Sequence, residues 1–158
     1  MNDITLKGII DEDFVNYKVP SMTLMFPACT FKCGSDYCQN SGLAKSPDIN
    51  TTRDSLCERY LNNPISEAIV CQGLEPIDSW IDLCGFLFTL RVIYQCHDDV
   101  VIYTGYNKEE IENELLELKK YDNVVVKFGR FIPNQEPHYD AVLGVKLASD
   151  NQYAERIS

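Results

Sequence analysis

Three cysteines, Cys29, Cys33 and Cys38, lie close together in the segment PACTFKCGSDYCQNS at residues 27–41. Thiolates at this spacing on one loop can converge on a single metal ion or iron-sulfur cluster, and Gly34 helps the backbone to turn tightly. Structural zinc sites and most iron-sulfur clusters take four protein ligands. The segment therefore predicts a metal site in which one coordination position is not filled by these three cysteines.

Two kinds of metal site fit three cysteines. Zinc would need a fourth ligand from Cys57, Cys71 or His97, none of which stands at a familiar zinc-finger spacing. A 4Fe-4S cluster with three cysteine ligands keeps one iron open for a small molecule, as catalytic zinc keeps an open position. We favour the cluster, because the open iron would then be the active site.

The composition predicts a single domain over residues 1–158, with residues 1–20 as an N-terminal extension or hairpin. The formal net charge of -10 argues against nucleic acid as a partner, because such binding requires basic residues. The most apolar stretch, at 80–94, is interrupted by Asp82 and Arg91, and no export signal is recognised. We therefore expect a cytoplasmic protein without a membrane partner.

The remaining four cysteines stand alone in helix-like or strand-like segments. A cytoplasmic compartment is reducing, so disulfides are not expected, and free cysteine is among the most buried residue types. We predict that Cys57, Cys71, Cys84 and Cys96 serve core packing, with Cys71 also considered near the cluster because of its neighbours.

Apolar runs bounded by glycine or proline alternate with helical patterns along the chain. The predicted strands are 21–26, 67–73, 99–105, 123–129 and 141–147, with a possible edge hairpin of 4–10 and 15–19. The predicted helices are 51–61, capped by Thr51; a deeply packed helix at 78–94, capped by Asp78; and 107–121, capped by Asn107.

This alternation predicts an α/β protein with a parallel sheet, either part of an eight-fold barrel or a small open sheet. Loops at the carboxyl ends of parallel strands meet at one edge of a sheet. The unusual segments follow four of the strands: the cysteine loop, QGLEP at 72–76, TGY at 104–106 and GRF at 129–131. We expect these four loops to form one site.

The cysteine loop and several other segments together resemble the radical S-adenosylmethionine enzymes. In that family, cysteines spaced C-x3-C-x2-C follow the first strand, an aromatic residue precedes the third cysteine, and GGEP follows the second strand. Here Tyr37 precedes Cys38, and QGLEP takes the place of GGEP. The segments at 100–111, 127–133 and 148–157 are similar to the anaerobic ribonucleotide reductase activating proteins in particular.

Two positions depart from the family pattern. Four residues separate Cys33 from Cys38 where the family has two, which predicts a bulged loop at little entropic cost. Leu74 replaces the second glycine of GGEP and places a side chain where the backbone approaches the ligand.

The resemblance implies a partial (β/α) barrel, with a parallel sheet and helices outside, that binds a 4Fe-4S cluster and S-adenosylmethionine. The three cysteines would hold the cluster, whose open iron would chelate the ligand. Tyr37 would lie near the adenine, and Asn40 would bond either the ligand or its own loop. Gly73 and Glu75 would bind the methionyl amino group, and Thr104 the ribose or carboxylate.

Each of these roles has a structural alternative. Tyr37 would otherwise be a core tyrosine, and Glu75 a solvated acid in a turn. Lys127 and Arg130 are candidate cations for the ligand carboxylate or for a partner protein, with a solvated surface charge as the alternative. We expect His97 to be an ordinary loop residue.

The resemblance further implies an activating enzyme. A low-potential donor, flavodoxin or ferredoxin, would reduce the cluster, and S-adenosylmethionine would be cleaved to methionine and a 5'-deoxyadenosyl radical. That radical would form a glycyl radical on the large subunit of anaerobic ribonucleotide reductase. The alternatives are activation of another glycyl-radical enzyme or peptide, and a non-catalytic iron-sulfur or zinc protein.

Overall fold

The computed structural model describes residues 2–29, 43 and 45–158. The strands in these residues are β1 Asp3–Leu6, β2 Gly8–Asp13, β3 Ser21–Phe26, β4 Ile49–Thr52, β5 Ala68–Gly73, β6 Val100–Tyr103, β7 Val124–Phe128, β8 His138–Asp140, β9 Val145–Leu147 and β10 Tyr153–Arg156. The α-helices are α1 Arg53–Leu61, α2 Trp80–Phe88 and α3 Glu112–Leu118. Short 3₁₀ turns at Pro76–Ser79 and Lys108–Ile111 precede α2 and α3, and a π-helical turn, Thr89–Ile93, extends α2.

The centre of the molecule is a six-stranded sheet in the order β10-β7-β6-β5-β3-β2. Its four inner strands are parallel, as predicted, and β2 and β10 flank them as antiparallel edges. The inner strands lie side by side in the same order as in the sequence, so the strand order does not reverse within the parallel part of the sheet. Within the described residues the sheet does not close into a barrel, so the fold is a mixed α/β structure with a mostly parallel sheet.

In the described part of the chain, α1, α2 and α3 pack on one face of this sheet. When parallel strands are added one after another in the same direction and every connection between them is right-handed, the connecting helices lie on the same face of the sheet. The main core cluster joins alternate sheet residues, such as Ile69 and Ile102, to helix residues such as Leu56, Phe86 and Leu115. This face contains most of the buried apolar surface.

Irregular chain and a small hairpin cover the opposite face. A second core cluster contains Val70, Val101 and Val125 from the sheet, packed against Tyr17 and Leu143. Residue 17 lies before β3 and residue 143 between β8 and β9, so this layer is assembled from segments far apart in sequence.

The N-terminal region pairs differently from the predicted hairpin. β1 is antiparallel to β4, and β2 is antiparallel to β3, while residues 14–19 form no strand. The prediction of a parallel strand at 141–147 is also wrong. Residues 141–144 form a turn, and β9 pairs with β8 in a separate two-stranded sheet.

Two of the predicted helix caps are corrected. Thr52, not Thr51, caps α1 by accepting a hydrogen bond from the Ser55 backbone N–H at 3.1 Å. Asp78 lies inside the 3₁₀ turn that precedes α2, and Glu75 caps that turn. The predicted capping box of Asn107 and Glu110 is confirmed.

The apolar segment 80–94 is only partly buried, contrary to the prediction of deep packing. Leu83, Phe86 and Leu87 face the core, whereas Ile81 is 79% exposed and Val92 is 51% exposed. A single helix layer covers only the sheet side of α2, so its outer side faces solvent. No helix in the described part of the chain is long and apolar enough to cross a membrane.

Candidate functional site

A cavity of about 280 Å³ lies at the carboxyl ends of β3, β5, β6 and β7. The loops after these four strands contribute Cys29, the turn at residues 72–75, Thr104 with Gly105, and residues 129–131. The prediction that the four loops share one edge is thereby confirmed for their described residues. Tyr103 and Lys127, at the ends of β6 and β7, also line the cavity, and the remaining wall comes from residues 15–16, 145–148 and 152.

The turn after β5 is built on Gly73. This glycine pairs in register with Phe26 and has a φ of +98°, which L-residues rarely adopt. A Cβ atom at this position would lie 2.5 Å from the Phe26 backbone nitrogen. The close approach of two strands therefore requires glycine here, independently of any ligand.

Glu75 is almost fully buried, with 1% of its surface exposed, which excludes the solvated-acid alternative. Its Oε1 accepts a hydrogen bond from the Gly105 backbone N–H at 2.7 Å, and its Oε2 accepts one from the Ile77 N–H at 3.1 Å. Burial raises the pKa of Glu75 to about 7, although these hydrogen bonds favour the ionised form. The carboxylate thus joins the loops after β5 and β6.

Stability is expected to depend on pH through Glu75. Because its folded pKa exceeds the ordinary value, its neutral form stabilises the protein at low pH, and this contribution is lost as pH rises through about 7. Relative to Glu75→Gln, the wild type should lose on the order of 3 kcal/mol of unfolding free energy between about pH 4.5 and about pH 8. Urea unfolding across this range measures the difference.

The exposed Glu109 offers a matched control, since Glu109→Gln removes a carboxylate from the surface. Its unfolding free energy should follow the wild-type pH profile. A wild-type minus Glu75→Gln difference that stays flat with pH would contradict the prediction.

Thr104 is buried and lies at the end of β6 in the cavity wall. Its backbone N–H donates to the Lys127 carbonyl at 2.8 Å, and its hydroxyl oxygen accepts from the Tyr106 N–H at 3.0 Å. The hydroxyl also interacts with the Glu75 carboxylate. Thr104 therefore fixes the ends of β6 and β7 beside the position predicted for the ligand.

Lys127 is buried, contrary to the alternative of a solvated surface charge, with 7% of its surface exposed. Its ammonium donates to the Gly129 carbonyl at 3.0 Å and lies 5.5 Å from the centre of the Tyr103 ring. Burial lowers the pKa of Lys127 to about 8, and the Glu75 carboxylate opposes part of this shift. The cavity wall therefore contains one buried basic group and one buried acidic group.

Arg130 lies at the cavity rim and is partly exposed. Its guanidinium forms two hydrogen bonds of 3.2 Å with the Glu110 carboxylate and lies 5.9 Å from the centre of the Tyr106 ring. These contacts tie the loop after β7 to the turn before α3.

Of the predicted cluster ligands, Cys29 is exposed and lines the cavity. Cys33 and Cys38, together with the predicted ligand contacts Tyr37 and Asn40, lie outside the described residues. Among the described residues no three His, Cys, Asp or Glu side chains are grouped to hold a metal ion. The geometry of the cysteine loop thus stays a prediction.

The prediction of core packing is confirmed for Cys57, Cys71 and Cys96, which are buried, whereas Cys84 is only partly buried. Burial raises the pKa values of Cys57 and Cys71 to about 12, which keeps both as thiols. Cys71 belongs to the helix-side core, so it is a packing residue. His97 is an exposed loop residue, as predicted, and bonds Asp122 at 3.0 Å.

Sequence reasoning missed several residues of the cavity wall. The backbone carbonyl of Asn16 accepts a hydrogen bond from the Tyr103 hydroxyl at 2.6 Å, and Gln152 lines the same cavity. No local pattern marks Asn16, whereas Gln152 lies in the segment 148–157, one of those on which the sequence resemblance rests. Lys127 did carry a signal, because it is the one charged residue in the otherwise apolar strand VVVKF.

Comparisons of this chain with protein-family models, curated proteins and solved structures found no match.

Proposed function

We propose that this protein is an iron-sulfur radical activating enzyme that reductively cleaves S-adenosylmethionine and generates a glycyl radical on anaerobic ribonucleotide reductase. The observation that carries the proposal is the meeting of Cys29 and the turns after β5, β6 and β7 at one cavity. Sites at the carboxyl ends of successive parallel strands are typical of (β/α) barrels. The resemblance of the cysteine loop and of QGLEP gives this site its proposed chemistry.

The strand order supports a partial barrel. In a doubly wound sheet the order reverses and helices cover both faces. Here β3, β5, β6 and β7 follow in order, and the described helices lie on one face, as in a section of barrel wall. An open side would admit a polypeptide loop of the reductase.

The residues around the cavity fit a small zwitterionic ligand. Lys127 supplies a buried ammonium and Glu75 a buried carboxylate, so groups of either charge find a partner. The cavity volume is near the lower end of the range of about 300–1,000 Å³ for small-molecule sites. Cys29, an exposed thiol on the same wall, fits a metal-cluster ligand.

In this proposal Cys29, Cys33 and Cys38 hold the 4Fe-4S cluster. When bound, the cluster would supply the electron for reductive cleavage of S-adenosylmethionine to methionine and a 5'-deoxyadenosyl radical. That radical would abstract a hydrogen atom from a glycine of the reductase large subunit. The protein's own residues bind and orient the ligand: Lys127 faces its carboxylate, and the Gly73 turn provides backbone groups. Flavodoxin or ferredoxin would be the electron donor.

The test is anaerobic reconstitution with iron and sulfide, followed by reduction and addition of S-adenosylmethionine. We expect equimolar methionine and 5'-deoxyadenosine, detected by chromatography. Absence of 5'-deoxyadenosine from a protein that holds a single zinc, or a fully cysteine-ligated cluster, would favour the non-catalytic alternative.

The protein partner requires a second measurement. Incubation with the reductase large subunit should produce the electron paramagnetic resonance signal of a glycyl radical. Cleavage without that signal, but with a signal on another glycyl-radical enzyme, would assign a different partner to the same chemistry.

A further inference from the structure

The segment 149–152 holds the loop that follows β7 by hydrogen bonds from two adjacent amide side chains. Asn151 Nδ2 donates to the Arg130 carbonyl at 2.9 Å, and Gln152 Nε2 donates to the Gly129 carbonyl at 3.3 Å. Gln152 is itself fixed, because it is 5% exposed and its Oε1 accepts from the Ser149 N–H at 3.1 Å. Two successive carbonyls of the cavity loop are therefore oriented from one segment.

The Gly129 carbonyl also accepts the Lys127 ammonium at 3.0 Å. Gly129 has a φ of +104°, and a Cβ atom there would lie 3.1 Å from the side chain and the carbonyl oxygen of Asn151. The orientation of this peptide thus depends on its contact with residues 151 and 152.

We propose that Gln152 is a positioning residue of the cavity: by holding the Gly129 carbonyl, it keeps the Lys127 ammonium in place to receive an anionic group of the bound ligand. The identity of that group, the carboxylate of S-adenosylmethionine, rests on the proposed function. The positioning of Lys127 by Gln152 does not.

The hydrogen-bonding capacity of Lys127 supports a ligand contact. An ammonium has three N–H donors, and buried donors are normally satisfied. Within the described residues, the Gly129 carbonyl is the one hydrogen-bond acceptor seen for the Lys127 ammonium. A ligand oxygen in the cavity would satisfy a further donor of this buried cation.

Lys127 lies among several titratable or charged groups. Those lining the same cavity are Cys29, Glu75, Tyr103, Arg130 and Lys146. Of these, the Glu75 carboxylate acts on Lys127 as an opposite charge, and the Tyr103 ring lies against its ammonium. Gln152 adds a neutral dipole, so its replacement changes the electrostatic surroundings of Lys127 without removing any of these groups.

Two variants of Gln152 should move the titration of Lys127 in opposite directions. Gln152→Leu removes the support of the Gly129 carbonyl, which stabilises the charged ammonium, so the pKa of Lys127 should fall. Gln152→Glu adds a negative charge near the ammonium, so this pKa should rise. Both variants lose the N–H donor to the Gly129 carbonyl, because a carboxylate cannot donate. Gln152→Leu therefore tests the positioning of this carbonyl, and Gln152→Glu tests whether residue 152 lies close enough to act on the ammonium.

The first readout is the dissociation constant of S-adenosylmethionine for the reconstituted protein as a function of pH. Wild-type affinity should fall as pH rises through the pKa of Lys127. Gln152→Leu should bind about 5-fold more weakly at neutral pH, as expected for one lost hydrogen bond. The affinity of Gln152→Leu should begin to fall at a lower pH than that of the wild type, and the affinity of Gln152→Glu at a higher pH.

The second readout does not depend on S-adenosylmethionine. Nuclear magnetic resonance of ¹³C-labelled lysine side chains gives the pKa of Lys127 directly, with Lys127→Arg assigning the signal. Gln135→Ala is the matched control, because Gln135 accepts the Asp150 N–H at 2.9 Å and binds the same segment without contacting Gly129. In this control the pKa of Lys127 should equal that of the wild type.

Opposite shifts in the two Gln152 variants, with an unchanged control, support the inference even if the wild type fails to bind S-adenosylmethionine; in that case only the proposed function is wrong. Equal shifts in one direction, or wild-type titration in both variants, overturn the inference even if S-adenosylmethionine binds. If Gln152→Leu does not fold, Gln152→Ala removes the same N–H donor with a smaller side chain, and a raised or unchanged Lys127 pKa in that variant would contradict the inference.

Discussion

Replacing Cys29 by alanine is expected to abolish both cluster incorporation and cleavage of S-adenosylmethionine, and the same result is expected for Cys33 and Cys38. The physical reason is that all three thiolates are required as ligands, so two cannot retain the cluster. Iron and sulfide content, the visible absorbance of the reconstituted protein and the yield of 5'-deoxyadenosine measure the effect.

Cys84→Ala is the matched control for these variants. Cys84 lies on α2, is only partly buried and is not among the residues that line the cavity in the described part of the chain. This variant should take up iron and cleave S-adenosylmethionine as the wild type does. Full activity in Cys38→Ala would instead show that Cys38 is not the third ligand.

Replacing Gly73 by alanine is expected to lower the free energy of unfolding by about 3 kcal/mol, because two costs combine. The φ of +98° is strained for any residue with a Cβ atom, and that atom would lie 2.5 Å from the Phe26 nitrogen and 2.7 Å from the Met25 Cα. Backbone atoms in paired strands cannot move aside as a flexible side chain can. Denaturant unfolding measures the loss.

Gly8→Ala is the control for this effect. Its Cβ atom would lie 2.9 Å from Met25 Sδ, near the end of a flexible side chain, and no positive φ is required. We expect a loss below about 1 kcal/mol, since the methionine can change rotamer. A Gly73→Ala loss no larger than that of Gly8→Ala would show that β3 and β5 can separate at this point.

The parallel core of the fold was predictable because its strands are buried on both faces. Such strands are continuous apolar runs, and those at 21–26, 67–73 and 123–129 are bounded by proline or glycine. Once these were recognised as parallel, the common edge of the following loops followed from geometry alone. This is why the sequence placed Cys29, Gly73, Glu75 and Thr104 near one another.

The edges of the fold were not predictable in the same way. β10 is a short antiparallel strand, and β1 pairs with β4 across more than forty residues. Segment 141–147 has a strand-like composition but contains a turn with Gly144 at a φ of +73°. Pairing between distant segments leaves no local sequence pattern, because the partner of an edge strand depends on which other strand edges remain unpaired in the folded protein.

The sequence by itself determined the strands β3, β5, β6 and β7 and the sheet edge shared by the loops that follow them, because residue type, spacing and strand polarity are local properties. Only the tertiary structure decided the surroundings of Glu75 and Lys127. A solvated position was the alternative for both residues, yet both are buried, in a cavity wall that residues 15–16, 145–148 and 152 complete. Burial depends on what covers a residue, so pKa values and the Gln152 contact arise only after distant parts of the chain have come together.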